Sequence, residues 1–251
     1  MIRPDRQFWP AFVLAMMAVG TAPAGAQSRS QHRVEISGNV GAQIGASEFT
    51  ESSQSTFNGE TETLTVDHGV KTAFGFNVGA AVKIVPALWM GVQYAMADMK
   101  SSASITAVIP HPLLFNAPRT VQGSSGDVTH NEQNVHVDLM YALPVHAVEI
   151  RVMGGPTFFN VKQDFVSDVV INESYPFDTA TFASATTKQL SKGAVGFNAG
   201  ADISRLITSQ VGIGALIRYS RADVKFNDAD IGTQTVKAGG TEVTAGIRLR
   251  F

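Results

Sequence analysis

The stretch that decides the fold is EVTAGIRLRF, residues 242–251. Alternate side chains of an extended strand point to opposite faces, so the odd-numbered residues share an apolar face and the even-numbered residues share a polar one. Such a strand packs either on a protein core or against lipid. The apolar face runs to an aromatic residue, Phe251, with no polar tail after it. This ending favours a strand that meets a membrane.

Seven earlier runs show the same alternation. They cover residues 33–45, 70–84, 88–97, 131–143, 148–158, 190–203 and 210–220. The connections between the eight runs are alternately long and short, and the long ones, at 47–68, 99–129, 163–188 and 223–239, are rich in polar residues. Residues 105–109 and 165–171 within them have β character, which predicts strands that continue beyond the membrane. The Gly-Ser-Ser-Gly tract at residues 123–126 is predicted to lie in a loop.

The runs predict an all-β fold, an eight-stranded antiparallel up-and-down transmembrane β-barrel with long external loops and short periplasmic turns. Each run is long enough for a tilted strand to cross a hydrocarbon layer. A closed barrel pairs every backbone group inside lipid, which an open sheet does not. A soluble lipocalin-like barrel is the alternative, but Phe74, Phe76, Phe197 and Ile217 make the outer faces too apolar for it.

The polar faces predict a filled lumen in which acids and bases neutralise one another. Unpaired, each buried charge would cost several kcal/mol, on the order of the desolvation penalty of a single ion. Several lumenal positions are Gly or Ala, which leaves room for long charged side chains. The predicted network comprises Glu35, Lys83, His136, Asp138, Glu149, Arg151, Lys192, Asp202, Arg218, Glu242, Arg248 and Arg250.

The first 26 residues are predicted to be a cleaved secretory signal peptide. Arg3 and Arg6 form a basic start, an apolar run follows at residues 11–19, and Ala24 and Ala26 frame a small-x-small cleavage site. The apolar run is shorter than the ~20 residues that a membrane helix needs. Residues 27–251 are therefore expected to form the barrel domain of an exported protein.

Composition excludes several classes of function. The chain has no cysteine, so it forms no disulfide, thiolate metal site or cysteine nucleophile. Its net charge of −2 gives no basic field for nucleic acid. Residues 227–232 partly match a calcium-binding loop but lack the distal glutamate, so a solvated loop tip is the preferred interpretation. We expect no cofactor and no metal.

These features together resemble the small outer-membrane β-barrel family of Gram-negative bacteria, the OmpA-like or opacity-type eight-stranded group. The resemblance implies residence in the cell outer membrane, among its lipids and lipopolysaccharide. It also implies that the last strand is an assembly signal read by the barrel-assembly machinery. The residues that fit this signal are Val243, Ala245, Ile247, Leu249 and Phe251. A periplasmic peptidoglycan-binding domain is not expected, so the cell-wall anchoring of some members of the group is not expected here.

Three classes of function compete for such a barrel. A lipid-modifying enzyme would need a serine, a histidine and a carboxylate together, and only His136, with Asp138 on the same face, lies within a run; a lumenal hydrogen bond is the preferred interpretation of His136. An open diffusion channel is not expected because eight strands enclose a space that side chains fill, and a narrow porin-like channel is kept as the alternative. A structural or surface-interaction role, through loops that bind a host or surface ligand, is the function that we expect.

Overall fold

The computed structural model describes residues 32–45, 49–57, 59–69, 72–145, 148–229 and 231–251, and they form ten β-strands. Among these residues, no helix is long and apolar enough to cross a membrane. The predicted signal peptide, with Ala24 and Ala26, lies outside them. The strands are β1 Val34–Ile44, β2 Phe49–Phe57, β3 Glu60–His68, β4 Ala73–Val85, β5 Leu88–Ile109, β6 Arg119–Val145, β7 Val148–Glu173, β8 Ala180–Leu206, β9 Val211–Asp228 and β10 Gly232–Arg250.

Eight of the strands close into a barrel. The order β5-β4-β1-β10-β9-β8-β7-β6 is continuous, every pairing is antiparallel, and β5 also pairs with β6 to complete the circle. The first and last strands meet along ten residue pairs, from Glu35 opposite Arg250 to Ile44 opposite Thr241. The predicted eight-stranded up-and-down barrel is confirmed. The hairpin of β2 and β3 stands outside the circle and pairs with the far end of β5.

The stagger of the strands sets the width of the lumen. Phe74 on β4 pairs directly with Asp98 on β5. Followed the other way around the barrel, the same ladder returns to β5 at Leu88, ten residues earlier. An eight-stranded barrel with this stagger has an interior that side chains can fill.

The outward positions near the short turns form an apolar band, which we call the membrane half. It comprises residues 34–44, 74–84, 88–96, 135–145, 148–158, 195–206, 211–219 and 241–250. Exposed aromatic rings mark its outer border, as at a membrane interface. These rings belong to Phe74, Phe158, Phe197 and Tyr219. Exposed aliphatic side chains cover the band below them, at Ile36, Val40, Val78, Val92, Leu139, Val152, Ile203, Ile213, Ile217 and Ile247.

Most strands continue well beyond this band, and we call that part the external half. β6 and β8 each have 27 residues, more than twice the ~9–11 that cross a membrane. Residues 105–109 and 165–171 lie in strands, which confirms the β character that the sequence indicates. The prediction of long polar loops is wrong in extent. The first is the β2–β3 hairpin, the other three are mainly strand, and residues 123–126 lie inside β6.

The external half has an apolar core of its own. One cluster, where β7 meets the β9–β10 hairpin, contains Phe159, Val161, Phe165, Ala222, Val224, Phe226, Ile231, Val236 and Ala238. Two more clusters lie farther out, around Val66, Ile105 and Val128 and around Ile109 and Val121. This burial explains why the predicted loops are strands, since alternate residues there are apolar and reward a continued sheet. Gly239 and Gly240, both with positive φ, let β10 turn over the lumen.

Candidate functional site

The lower lumen contains a network of two arginines and two glutamates. Arg151 binds both carboxylate oxygens of Glu35 at 2.6 Å, and its Nε donates to Glu149 at 2.6 Å. Arg250 donates to Glu35 at 2.6 Å and to Glu149 at 2.8 Å. Because Arg151 and Glu35 are almost fully buried, each charge depends on its partner.

Two further ion pairs lie above this network. Arg218 donates to Asp138 at 2.9 Å, and its other nitrogen lies 3.7 Å from Glu242. Arg248 pairs with Asp202 and also donates to Asn39. Its guanidinium lies against Gly214, where an added Cβ would come within 3.0 Å of it. The structure therefore brings ten of the twelve predicted lumenal residues inside the barrel, at the positions expected from alternation.

Two predicted residues are placed differently. Lys83 is half-buried beside an irregularity in the β4–β5 register, and its Nζ lies 5.8 Å from the ring of Trp89. Lys192 is exposed and does not join the lumenal network. It lies where β9 no longer pairs with β8. Lys192 as a lumenal charge is therefore a wrong prediction.

The structure adds a residue that the predicted network omits. Trp89 is 3% exposed and lies inside the barrel, with the guanidinium of Arg151 stacked 4.5 Å from its ring centroid. Alternation along β5 places it inward, on the face of Gln93. Its partner on β7 is set by the register, which no local pattern reveals.

His136 lies in the lumen as part of a hydrogen-bond chain. Its Nδ1 lies 2.8 Å from the hydroxyl of Thr157, which in turn accepts a hydrogen bond from Asn198 at 3.1 Å. Asp138 points at Arg218, so it does not orient the imidazole. No serine is hydrogen-bonded to His136 in the part of the chain that the structure describes. This geometry is that of a structural polar network.

Side chains fill the lumen. The cavity enclosed between the lower network and Arg248 has a volume of about 20 Å³, room for roughly one water molecule. Higher up, the apolar cluster around Val224 and Phe226 covers the lumen. Side chains therefore occupy much of the lumen at both of these levels.

A buried histidine–glutamate pair lies where the lumen meets the apolar core. Glu132 accepts hydrogen bonds from His130 at 2.8 Å, Gln43 at 2.9 Å and the amide of Gly239 at 3.0 Å. The outward neighbours of the pair on β6 are Asn131 and Gln133, so it lies beyond the membrane half.

The pair shifts the titration of both groups. Burial acts to lower the pKa of His130, but the hydrogen bond and charge of Glu132 outweigh it, so the pKa lies above the ordinary 6.5. Burial acts to raise the pKa of Glu132, but the hydrogen bonds and charge around it hold the pKa below the ordinary 4.5. The pair ties β6 to the turn of β10 at Gly239.

The farthest part of the external half carries exposed apolar side chains, and we call it the tip. It joins the turn between β5 and β6 to the turn between β7 and β8. Leu113, Leu114, Phe115 and Tyr175 are 63%, 55%, 80% and 81% exposed. Elsewhere in the external half, residues of this kind fill the core, so their exposure here is a distinctive feature.

Buried polar groups hold the tip in shape. Arg119 donates to Glu173 at 2.6 Å, to the carbonyl of Phe177 at 2.8 Å and to the carbonyl of Pro110 at 2.9 Å, and so joins the two turns. The Nδ1 of His111 accepts the amides of Leu113 at 3.1 Å and Leu114 at 3.0 Å. The exposed side chains therefore project from a braced turn.

Acidic residues surround the tip. Glu60 accepts the amide of Asn116 at 2.7 Å, and Asp178 lies 3.6 Å from His111. Glu173 is paired with Arg119, which is buried. Strand alternation does not predict this surface. The sign was present in residues 110–118, where three prolines frame an apolar Leu-Leu-Phe.

The other predicted features take ordinary positions. Asp228 forms a 2.8 Å ion pair with Lys188, and Ile231 is buried in the core. The apolar residues of the last strand, Val243, Ala245, Ile247, Leu249 and Phe251, face outward. The amide of Phe251 donates to the carbonyl of Val34 at 2.9 Å, which completes the junction of β10 with β1.

Comparison with known proteins gives the family. Residues 12–251 match the model of the outer membrane protein beta-barrel domain. The chain belongs to this family. It is therefore a protein of the cell outer membrane, and its apolar band lies among the lipids there. No curated protein sequence matches the chain.

Several solved outer-membrane barrels are similar to this one at low sequence identity. Neisserial surface protein A is 14% identical, with 87% of this chain and 97% of that chain covered and a TM-score of 0.41. Ail of Yersinia pestis, in complex with the heparin analogue sucrose octasulfate, is 14% identical, with 86% and 99% covered and a TM-score of 0.37. The protease OmpT of Escherichia coli is 9% identical, with 90% and 99% covered and a TM-score of 0.46.

Proposed function

We propose that this outer-membrane barrel is a surface-recognition protein without enzymatic activity, and that the tip is its contact surface. The observation that carries the proposal is the exposure of Leu113, Leu114, Phe115 and Tyr175 on braced turns. Exposed apolar groups that are already ordered lose little conformational freedom on binding, which favours affinity. Aromatic anchors of this kind often dominate the binding energy of protein interfaces.

The filled lumen favours a function on the external surface and not in the barrel interior. Its arginines are paired with acids, and the cavity of about 20 Å³ between the lower network and Arg248 is too small for a substrate or a hydrated ion. His136 is hydrogen-bonded to Thr157, and Asp138 is engaged by Arg218. The interior therefore acts as a scaffold that keeps the external half upright.

The proposal is tested by binding of the intact protein, held in lipid nanodiscs, to an array of purified host extracellular proteins. The triple variant Leu114→Ser, Phe115→Ser, Tyr175→Ser is expected to lower any binding about tenfold or more, the loss typical of hot-spot residues. Val170→Ser is the matched control, because Val170 is an exposed apolar residue of β7 outside the two turns of the tip. Equal binding by the triple variant, or no binding by the wild type, would contradict the proposal.

A structural role in the envelope predicts a different result. A deletion strain would then be sensitive to detergents, and the wild type and the triple variant would restore resistance equally. Under the recognition role, detergent resistance does not depend on the protein.

The last strand carries a second proposal, that Val243, Ala245, Ile247, Leu249 and Phe251 form the signal for the barrel-assembly machinery. Their outward, unobstructed apolar face supports it. Deletion of Phe251 should lower the amount of protein in purified outer membranes, measured by immunoblotting. An unchanged amount would refute this role.

A further inference from the structure

The external part of β8 has one unpaired edge. β8 pairs with β7 along its whole length, from Ala180 opposite Glu173 to Ser204 opposite Glu149. Its other neighbour, β9, pairs with it only over residues 197–206. Above that point no strand among the described residues pairs with this side of β8.

β9 separates from β8 because its outer residues are buried in another part of the external half. Its outer residues pair with β10 and bury Val224 and Phe226 in the apolar core over the lumen. If β9 returned to β8, this core would be opened to water at a cost of about 1.5–3 kcal/mol for each large apolar side chain. At this level the two strands are joined by the Lys188–Asp228 ion pair and by Leu190 and Ala194 of β8, which pack against the same core. The gap between β8 and β9 is therefore a stable property of the fold.

Two hydrogen bonds show which residues of β8 face the gap. The carbonyl of Thr186 accepts from Ser167 of β7 at 3.2 Å, so its backbone groups face β7. The amide of Ile207 donates to Val211 at 2.8 Å, toward the β9 side. Backbone groups alternate along a strand, so odd-numbered residues between them face away from β7. The groups of Ala185, Thr187, Gln189, Ser191 and Gly193 make up what we call the β8 edge.

The β8 edge has neither a proline nor a pairing strand, two of the features that usually protect an exposed strand. No proline lies in residues 180–196, and no described strand pairs with the edge. Most of its side chains are small and exposed, at Thr187, Ser191 and Gly193. Unpaired edges of this kind are templates for pairing with another chain.

The geometry points to one occupant: an extended segment of another polypeptide, bound as an added β-strand along the β8 edge. This inference rests on the proposed recognition function and uses a surface separate from the tip. Donors and acceptors repeat along the edge every second residue, about 6.6 Å apart. An extended peptide backbone matches that repeat, whereas lipid chains and polysaccharides do not.

A second copy in the same membrane does not fit this edge. Two copies in one membrane are related by an axis along the membrane normal, so both β8 strands run toward the membrane. Strands of such barrels tilt about 35–45°, so the two would cross at roughly twice that angle. An antiparallel ladder requires opposite directions and close alignment. The partner therefore brings a segment that is free to lie along β8.

The test uses a fluorescent peptide of about ten alternating Thr and Val residues, the length of an average strand or longer, and the intact protein in nanodiscs. A twin peptide carries N-methyl groups on alternate residues, which remove the ladder donors. Wild-type protein is expected to bind the first peptide at least about tenfold more tightly than the twin, the effect of losing a few ladder hydrogen bonds. Equal binding of the two peptides, or no binding of either, would overturn the inference.

The protein variants separate backbone from side-chain effects. Thr187→Pro with Ser191→Pro removes two edge donors at positions where proline is tolerated, because their amides face away from β7. This variant should bind the peptide about tenfold more weakly, while Thr187→Ala with Ser191→Ala should bind like the wild type. Heat-modifiable migration in detergent gels checks that each variant is folded.

Equal binding by the proline and alanine variants would also overturn the inference. The tip triple variant distinguishes this inference from the proposed function. It should keep peptide binding and lose host-protein binding. Light scattering of the nanodiscs measures how many copies of the protein each nanodisc holds. Dimers that disappear in the proline variant would show that the β8 edge binds a second copy and not a separate polypeptide.

Discussion

The membrane half and the external half are built from the same strands but are inverted in polarity. In β9, Ile217 and Tyr219 face outward to lipid while Arg218 faces inward; farther along, Lys225 faces outward to water while Phe226 faces inward. In β9 the alternation does not shift between the two regions. Only the chemistry of each face changes, at the ring of aromatic residues.

This comparison shows that the surroundings of the strand, and not its geometry, decide which face carries charge. Three strands change at the same level. The outward residue after Phe158 is Asn160, after Tyr219 it is Arg221, and after Met96 it is Asp98. Inside, paired charges give way to apolar clusters at that level, because water outside makes an apolar core favourable again.

The largest expected effect is the loss of stability on removing a buried lumenal cation from the membrane half. Arg218→Met leaves Asp138 buried without its cation, which should lower the free energy of unfolding by about 3–5 kcal/mol. Urea unfolding of the protein in lipid vesicles measures it. The triple variant with Asp138→Leu and Glu242→Gln removes the acids together with the arginine and should recover most of the loss. A single variant as stable as the wild type would show that this ion pair does not hold the lumen together.

A matched exchange on the outer faces should have an intermediate effect. Ile217→Lys places a charge against lipid and should cost about 2 kcal/mol, whereas Lys225→Ile, eight residues along the same strand, faces water and should change stability by less than about 0.5 kcal/mol. The same unfolding measurement applies to both. Equal costs would mean that the border between the halves is not at Tyr219.

The smallest effect concerns the pair at the border, His130 and Glu132. The raised pKa of His130 stabilises the fold below pH 6.5, and this is lost as the pH rises through that raised pKa. The lowered pKa of Glu132 stabilises it above pH 4.5, and this is lost as the pH falls through that lowered pKa. The pair should therefore protect the β9–β10 hairpin best between pH 4.5 and 6.5.

Hydrogen exchange at the amide of Gly239, corrected for intrinsic rates, measures this protection. His130→Gln should remove the decline of this protection at high pH. The side-chain amide of the introduced glutamine can still donate a hydrogen bond to Glu132, but it does not titrate. An identical pH profile in the wild type and the variant would separate His130 from the stability of the hairpin.

The barrel and its lumen follow from sequence because alternation is local. A strand buried on one face and exposed on the other must repeat every second residue, so Glu35, Arg151 and Arg248 are placed inward without knowledge of their partners. The partners themselves depend on the stagger around the barrel. Arg151 meets Glu35, 116 positions away in sequence, and no local pattern carries that information.

The structure of the external half does not follow from alternation in the sequence. Its strands are rich in Thr and Ser, which are typical of both loops and water-facing strand positions. Small residues such as Ala103 and Ala107 fill the core there, and they do not stand out in sequence. Lys192 is exposed although Leu190 and Ala194, its neighbours on the same face of β8, pack against the apolar core. Tertiary packing decides these positions.

The placement of Trp89 has a consequence for spectroscopy. The chain has two tryptophans, and the other, Trp9, lies in the predicted signal peptide. In the processed protein, tryptophan fluorescence would thus come from one indole, shielded from solvent and stacked under Arg151. Its emission would change when the barrel wall closes and would not change when the tip or the β9–β10 hairpin opens. A dye on the external half would then supply the second colour needed to time the two halves separately.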